Sequence, residues 1–438
     1  MIKDDSRKVL KGDTFIALKK INDGHEYVSE AIKNGASKVI VEKGLYDVET
    51  IVVSDTHKYL VDYLKENYYG KIKDLKLIGM TGTNGKTTTC FLLYQALNKA
   101  GFKTAYIGTI GFYIDGKVKD LNNTTPDILE IYELLLECVK NDCKYVVMEA
   151  SSQALDMHRL DGLEFEYGIF SNLTQDHLDY HLSLENYIKA KQILFDMVKN
   201  KTFVNVDDKY FKYFIKDNSI TYGTLESNYK LSDYKFSIDG SSFKVSGIDY
   251  KTNLIGKHNL YNILVVIALL SELKIDNIKS IIEKLNCPIG RMDVIKKDDN
   301  LIVIDYAHTP DAINNVINTV KEINCNKIIT LIGCGGNRDK TKRPIMSKIA
   351  CDNSDYVILT SDNPRFEDPN EIIKDMLQNL DNNNYEIEIN REKAIIKGIQ
   401  MLKKNDILLV LGKGHENYQI INDIKYDFDD KKIVLDNI

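Results

Sequence analysis

Residues 75–81, Leu-Lys-Leu-Ile-Gly-Met-Thr, pass straight into Gly82-Thr-Asn-Gly-Lys-Thr-Thr88, and this junction constrains the chain more than any other segment. An apolar strand, a glycine-rich turn and a helix over about 87–100 that Gly101 closes make one strand–turn–helix unit. Backbone N–H groups in such a turn wrap a polyphosphate, Lys86 neutralises it, and the Thr87 hydroxyl can hold Mg²⁺. Strict Walker A spacing puts glycine five residues before Gly85, where this chain has Met80. The plain alternative is a tight turn followed by a solvated lysine, but a solvated lysine needs no glycine just before it. Gly82, Thr83, Asn84, Gly85, Lys86, Thr87 and Thr88 are therefore read as a nucleotide site.

The chain is too long for that unit alone. At roughly 150 residues per domain, 438 residues predict about three domains. Residues 1–70 alternate short β-branched runs (14–18, 38–42, 50–54) with amphipathic stretches (25–35, 57–68), and the polar segment 70–74 follows. Residues 71–286 hold the phosphate turn, a helical stripe over 128–140 and buried strands at 144–149 and 167–173. Between 202 and 254 short alternating runs with Gly turns read as an antiparallel insertion. Residues 287–438 carry four apolar strands, 301–304, 327–332, 356–360 and 407–411, spaced for crossover helices and hence for a parallel sheet. The expected fold class is α/β in three domains: a small N-terminal α/β domain, a central P-loop parallel-sheet ATPase domain with a β insertion, and a C-terminal Rossmann-like domain.

Composition excludes several function classes. Lys+Arg total 58 against 64 Asp+Glu, a formal charge of −6, which argues against a nucleic-acid binder while leaving room for a local basic pocket. The opening Met-Ile-Lys-Asp-Asp-Ser-Arg lacks the apolar core of a signal peptide. The longest apolar run, 263–270, is too short to cross a bilayer. Seven scattered cysteines without a C-x-x-C pair suit reduced, buried thiols, so a cytoplasmic location without membrane insertion is expected.

Chemistry gathers where strands end. The four C-terminal strands run into Asp305-Tyr-Ala-His-Thr-Pro, Gly333-Cys-Gly-Gly-Asn-Arg-Asp-Lys, Ser361-Asp-Asn-Pro-Arg and Gly412-Lys-Gly-His-Glu. Ligands of open α/β sheets bind at such ends. Glu149 closes the strand Tyr-Val-Val-Met-Glu, the position of an acid that holds Mg²⁺ near a phosphate loop. Asp176-His177-Leu-Asp179-Tyr-His181 puts two His and two Asp within six residues. On spacing alone, metal ligation and structural hydrogen bonding are equally good readings of that cluster.

Taken in order, Thr-Gly-Thr-Asn-Gly-Lys-Thr, Met-Glu-Ala-Ser-Ser-Gln-Ala-Leu, Ser-Asn-Leu-Thr-Gln-Asp-His-Leu-Asp-Tyr-His, Asp-Tyr-Ala-His-Thr-Pro-Asp-Ala and Gly-Lys-Gly-His-Glu resemble the Mur ligases of peptidoglycan synthesis, in particular those that add the third amino acid. The resemblance spans nearly the whole chain. It implies an ATP-dependent amide ligase whose acceptor is the D-Glu carboxylate of UDP-MurNAc-L-Ala-D-Glu, activated as an acyl phosphate. Lys86, Lys191, Glu149 and His177 are the implied catalytic set; Thr87, Glu149, His177 and a carbamylated Lys191 would hold Mg²⁺. From its own surroundings in sequence Lys191 passes for an ordinary surface lysine. Asn262, Arg291 and Asp305 resemble further ATP contacts. Ser6, Asn123, Thr124, Thr125, Ser151 and Arg159 match positions that grip the UDP-muramoyl dipeptide, which the N-terminal domain, residues 1–70, helps to bind. Gln153 stands where His is common in the family, and Met157 where Gln is.

The incoming amino acid is meso-diaminopimelate or L-lysine, which differ by one distal carboxylate. A planar guanidinium pairs with a carboxylate through two parallel hydrogen bonds, and Asp362-Asn363-Pro364-Arg365 matches the diaminopimelate motif. Arg338, Gly412 and Glu416 match its companions, with Glu416 taking the ammonium end. Arg365 could instead form a surface salt bridge with Glu367 or Asp368. Rivals are a lysine-adding relative, a folylpolyglutamate synthase-like ligase and a P-loop NTPase switch without catalysis; the Asp-Ser-Arg and Asp-Asn-Pro-Arg segments disfavour the second, and the four loaded strand ends the third. A monomer is expected.

Overall fold

A computed structural model describes the chain apart from Met1, Lys20, Ile21 and Gln175, and at Leu178 and Asp179 describes the backbone only. The chain forms two compact units, Met1–Cys90 with Leu97–Thr221, and Phe91–Ala96 with Tyr222–Ile438. The fold is mixed α/β built on parallel sheets.

The first unit holds two sheets. Ile2–Lys3, Thr14–Ile16, Lys38–Val41 and Glu49–Val52 pair in that order, all parallel. The predicted helix at 25–35 is shorter: Gly24–Tyr27 is a 3₁₀ turn that leads into the helix Val28–Lys33. The polar segment 70–74 contains the helical turn Gly70–Ile72, because Ile72 and Leu75 are buried in the same core as Leu60, Leu64 and Leu77. The larger sheet runs Val198–Asn205, Phe165–Phe170, Lys76–Thr81, Tyr145–Glu149, Thr104–Gly108, all parallel, followed by the antiparallel pair Gly111–Ile114 and Lys117–Lys119. Its central strands are buried along almost their whole length, as a parallel sheet covered on both faces requires.

Residues 198–205 correct the expected start of the β insertion. The segment opens with exposed polar residues, but Phe203 and Val204 are fully buried and the strand pairs parallel to Phe165–Phe170. The antiparallel insertion is Tyr229–Ser237, Gly240–Val245 and Ile248–Thr252, in the second unit. The apolar run 263–270 lies buried within the helix Lys257–Glu272. No helix among the described residues is long and apolar enough to cross a membrane.

The second unit's main sheet runs Asp293–Lys297, Asn300–Asp305, Ile407–Leu411, Ile328–Cys334, Tyr356–Ser361, Tyr385–Ile387, parallel except for the first pair. The four predicted apolar strands are its centre; the more polar edge strands at 293–297 and 385–387 gave no apolar run to read. Crossover helices start on side-chain caps: Thr309 before Pro310, Asp368 before Pro369, Asn390 before Arg391. Neighbouring strands thus deliver Asp305, Leu411, Cys334 and Ser361 at one edge.

Candidate active site

In the first unit the phosphate turn is shaped by close approach. Gly82 has φ +149°, and a Cβ there would lie 2.0 Å from the Ser171 hydroxyl; Gly85 is also left-handed, at φ +88°. The Thr83 amide donates to the Asn172 carbonyl (2.8 Å) and the Asn84 amide to its side-chain oxygen (2.9 Å), anchoring the turn to the neighbouring strand's end. Lys86 Nζ curls back to donate to the carbonyls of Gly82 and Thr83, both at 2.9 Å.

Lys191 reaches the same turn from the helix Leu184–Asp196, which Ser183 caps through the Asn186 amide. Its face packs at Gly79, where an added Cβ would lie 2.7 Å from Leu194. Lys191 Nζ is buried and donates to the Gly82 carbonyl at 2.9 Å, with the Tyr187 ring 4.3 Å away. Burial, and then the charge of Lys86, push its pKa far down, opposed by Asp176. No carboxylate pairs with it among the described residues.

Glu149 is fully buried, and its carboxylate accepts from the Tyr106 hydroxyl (2.6 Å), the Thr109 amide (2.9 Å), the Thr87 hydroxyl (3.0 Å) and the Thr109 hydroxyl (3.2 Å). Thr87 and Glu149, each read from the sequence as a candidate Mg²⁺ ligand, are thus hydrogen-bonded to one another. His177 stands apart from it: half-exposed, at φ +52°, with Nε2 3.5 Å from its neighbour Asp176. His181 is buried against the Ser152 hydroxyl at 3.0 Å, a structural contact. The Asp179 side chain lies outside the described residues. Among the described residues no three His, Cys, Asp or Glu converge as a ready-made metal cage.

Thr125 links this centre to the next. Its hydroxyl donates to the Glu149 carbonyl (2.7 Å) and accepts from the Ser151 amide (3.1 Å), and Thr109 and Thr124 hydroxyls meet at 3.1 Å. Arg159 donates to the Thr125 carbonyl at 2.9 Å and pairs with Asp127 at 3.0 Å. Arg159 and the buried Ser6, which donates to Glu30 at 2.6 Å, line one cavity of about 770 Å³. Met157 lines it too, its sulfur 3.4 Å from Arg159 Nη2. Asn123 is exposed and outside that lining.

In the second unit, Asp305 accepts the amides of Met292 (2.7 Å) and Ala307 (2.8 Å), and burial raises its pKa against those bonds. The Arg291 guanidinium lies 5.1 Å over the Tyr306 ring, its buried Nε without a hydrogen-bond partner. Asn262 sits buried on the helix Lys257–Glu272, donating to Asn259.

Arg338, Asp362, Asn363, Arg365, Gly412 and Glu416 line a separate cavity of about 340 Å³. The Pro364 segment packs on the turn after Ile328–Cys334: a Cβ on Gly336 would lie 1.9 Å from the Pro364 carbonyl oxygen. Arg365 holds φ +52°, a strained backbone for a long side chain, and donates to the Gly336 carbonyl at 2.8 Å. It has no ion pair among the described residues. The surface bridge does not form among the described residues: Glu367 pairs with Arg343 (2.9 Å) and Lys340 (3.2 Å), and Asp368 caps the next helix through the Asn370 amide (2.8 Å). Glu416 accepts from Asn363 Nδ2 at 2.9 Å. Sequence reasoning missed two interior cations near this cavity that do not line it: Lys413, fully buried within the Gly-Lys-Gly-His-Glu segment, and Arg391, paired with Asp430 at 2.7 Å. Lys413's only signal was its place between two motif glycines; Arg391 had none.

The Mur ligase middle domain matches residues 80–270, and the Mur ligase glutamate ligase domain matches residues 290–414. The UDP-N-acetylmuramoyl-L-alanyl-D-glutamate–2,6-diaminopimelate ligase of Clostridium perfringens is 42% identical, over 99% of this chain and 94% of that protein. The chain belongs to the Mur ligase family. A relative of the same name from Fusobacterium nucleatum is also 42% identical to this Mur ligase, over 99% of the chain and 92% of that protein. A solved structure of a ligase of that name superposes with a TM-score of 0.74 at 34% identity, over 100% of this chain and 94% of that one. MurF from Acinetobacter baumannii shares the fold of this Mur ligase, with a TM-score of 0.63 at 17% identity over 99% of the chain and 92% of its own.

Proposed function

We propose that this Mur ligase joins meso-2,6-diaminopimelate to UDP-N-acetylmuramoyl-L-alanyl-D-glutamate, with ATP converted to ADP and phosphate. The observation that carries the choice of amino acid is Arg365, a guanidinium at the rim of a 340 Å³ cavity with no carboxylate of its own among the described residues. Opposite charge is supplied in the same cavity by Glu416, which suits the ammonium end of a zwitterion. Relatives named for this reaction support the reading.

In this proposal residues 1–70 help to hold the uridine end, 71–286 hold ATP and 287–438 the amino acid, all on one monomeric cytoplasmic chain. Seven free thiols suit a reducing compartment. Residues 82–88 cradle the phosphates, and Lys86 turns from the loop carbonyls to the γ-phosphate; Asn262, Arg291 and Asp305 take the rest of the nucleotide. Ser6, Asn123, Thr124, Thr125, Ser151 and Arg159 orient the muramoyl dipeptide. Its D-Glu carboxylate attacks the γ-phosphorus, releasing ADP and leaving an acyl phosphate. The amine of the amino acid then attacks that carbonyl, and phosphate departs from the tetrahedral intermediate.

The residues present fit Mg²⁺. Lys191 is a buried amine without a counterion among the described residues, pushed towards its neutral form, and a neutral amine captures CO₂ to give a carbamate and a proton. That carbamate, with Thr87, Glu149 and His177, would hold Mg²⁺, which would offset negative charge as the phosphoryl group moves.

The test is phosphate release by the purified chain. Release is expected only when ATP, the UDP-dipeptide and diaminopimelate are all present, with L-lysine a poor substitute. Equal turnover of the two amino acids would refute the diaminopimelate assignment, and release with ATP alone would refute the ligase.

A further inference from the structure

Lys413 carries a charge that the proposed reaction leaves unused. Its side chain is fully buried just past the strand Ile407–Leu411 and does not line the amino-acid cavity. A buried ammonium is costly unless its donors are satisfied. Here Nζ lies 3.0 Å from Asn363 Oδ1, 3.5 Å from Glu416 Oε2 and 4.0 Å from Asp362 Oδ1, with the Tyr418 and Phe428 rings at 5.7 and 5.9 Å. The other interior cation nearby, Arg391, is committed elsewhere: it grips Asp430 with two hydrogen bonds (2.8 and 2.7 Å) and donates to the Leu411 carbonyl at 3.0 Å. Arg391 also lends its charge to Asp362 and Glu416, but among the described residues it is Lys413 whose ammonium lies within 4.0 Å of both carboxylates.

The hydrogen bonds also have a direction. A side-chain amide can present oxygen or nitrogen to either side, and its partners decide which. Asn363 Oδ1 accepts from Lys413 Nζ and from the Ile420 amide at 2.9 Å, two groups that can only donate. A flipped amide would set NH₂ against both. The nitrogen is therefore directed at Glu416 Oε2, at 2.9 Å.

We infer that Lys413 is a positioning residue: through the Asn363 amide it fixes the Glu416 carboxylate in the orientation that receives the ammonium group of the incoming amino acid. This rests on the amino-acid site proposed above. Because Lys413 does not line the proposed amino-acid cavity and acts through Asn363, its effect should fall on the KM of that one substrate.

The experiment compares steady-state constants of wild type with Lys413→Met, Lys413→Gln, Asn363→Leu and the double variant Lys413→Met/Asn363→Leu. Lys413→Met is expected to raise the KM for the amino acid about tenfold to a hundredfold, the span of a hydrogen bond to a charged group, with kcat and the KM values for ATP and the UDP-dipeptide little changed. The double variant should be no worse than Asn363→Leu, because the effect runs through that amide. Lys413→Gln keeps an N–H donor for Asn363 and should recover most of the loss. An unchanged amino-acid KM in Lys413→Met, a parallel rise in all three KM values, full additivity in the double variant, or a Lys413→Gln chain that fails to fold would each overturn the inference. If wild type turns over L-lysine in place of diaminopimelate, the proposed substrate falls. The role of Lys413 is then judged by the same comparison made with L-lysine.

Discussion

The phosphate turn and the amino-acid cavity are both assembled at the carboxyl ends of parallel strands, yet they handle charge in opposite ways. Around Gly82 two lysines, 86 and 191, donate to backbone carbonyls, and Lys191 has no carboxylate partner among the described residues. Glu149, close by, spends its oxygens on hydroxyls and an amide. This site is built largely from main chain, with Lys86 at the turn itself and Lys191 pushed towards its neutral form beneath it. In the cavity of Asp362, Arg365 and Glu416, side chains of both signs are positioned by the Asn363 amide and by left-handed backbone, strained at Arg365 and relaxed at Gly412. That arrangement suits a zwitterion with charges at two ends.

The contrast breaks most sharply at Lys191. Lys191→Ala should nearly abolish turnover, bicarbonate should not rescue it, and acetate should restore some of it. Labelled ¹³C-bicarbonate should give a carbamate carbon signal in wild type and none in the variant; full activity in the variant would sink the carbamate. Next comes Arg365→Ala, which removes one end of the zwitterion site. Truncating one partner of a desolvated charge pair costs several kcal/mol, so the KM for diaminopimelate should rise by about two to three orders of magnitude. Turnover of L-lysine, which lacks the distal carboxylate, should hardly change, and a like loss for both amino acids would deny Arg365 its place.

Beneath the cavity, Arg391→Met leaves Asp430 as an unpaired interior charge. Breaking a buried pair this way costs about 3 kcal/mol or more, to be read as a lower denaturant midpoint; an unchanged midpoint would mean that the pair contributes nothing. The smallest effect is on acid stability. The Arg343 guanidinium holds the Glu367 carboxyl well below the usual carboxylate range, at about 2. Because the folded value lies below the unfolded 4.5, the stabilisation is complete above pH 4.5 and is lost as pH falls towards 2. Glu367→Gln should flatten that stretch of the stability profile. A wild-type profile already flat between about pH 5 and 2.5 would contradict the Arg343–Glu367 pairing.

Much of this was legible before any coordinates. The run 75–81 is apolar on both faces and is followed by two glycines whose left-handed backbone the turn requires, so strand, turn and helix are all marked locally. Thr309-Pro310 and Asp368-Pro369 announce helix starts in the same local way. Residues 198–205 escape a local reading because Lys199, Asn200 and Lys201 interrupt the apolar run, and the partner strand, Phe165–Phe170, is distant in sequence. The edge strands of the second sheet were missed for the same reason.

The sequence by itself determined the order of loaded strand ends, the phosphate turn and the family. Whether a given lysine is a solvated cation, a near-neutral amine or a buried clamp was settled only by the tertiary structure. Lys86, Lys191 and Lys413 are covalently identical. One curls over a partly buried loop, one lies against a carbonyl with no counterion among the described residues, and one lies between an amide and two carboxylates. Desolvation and Coulomb attraction depend on which atoms surround a group in space. Lys86 meets carbonyls three and four residues away, but Lys191 meets Gly82 across 109 residues and Lys413 meets Asn363 across 50, distances no local pattern spans.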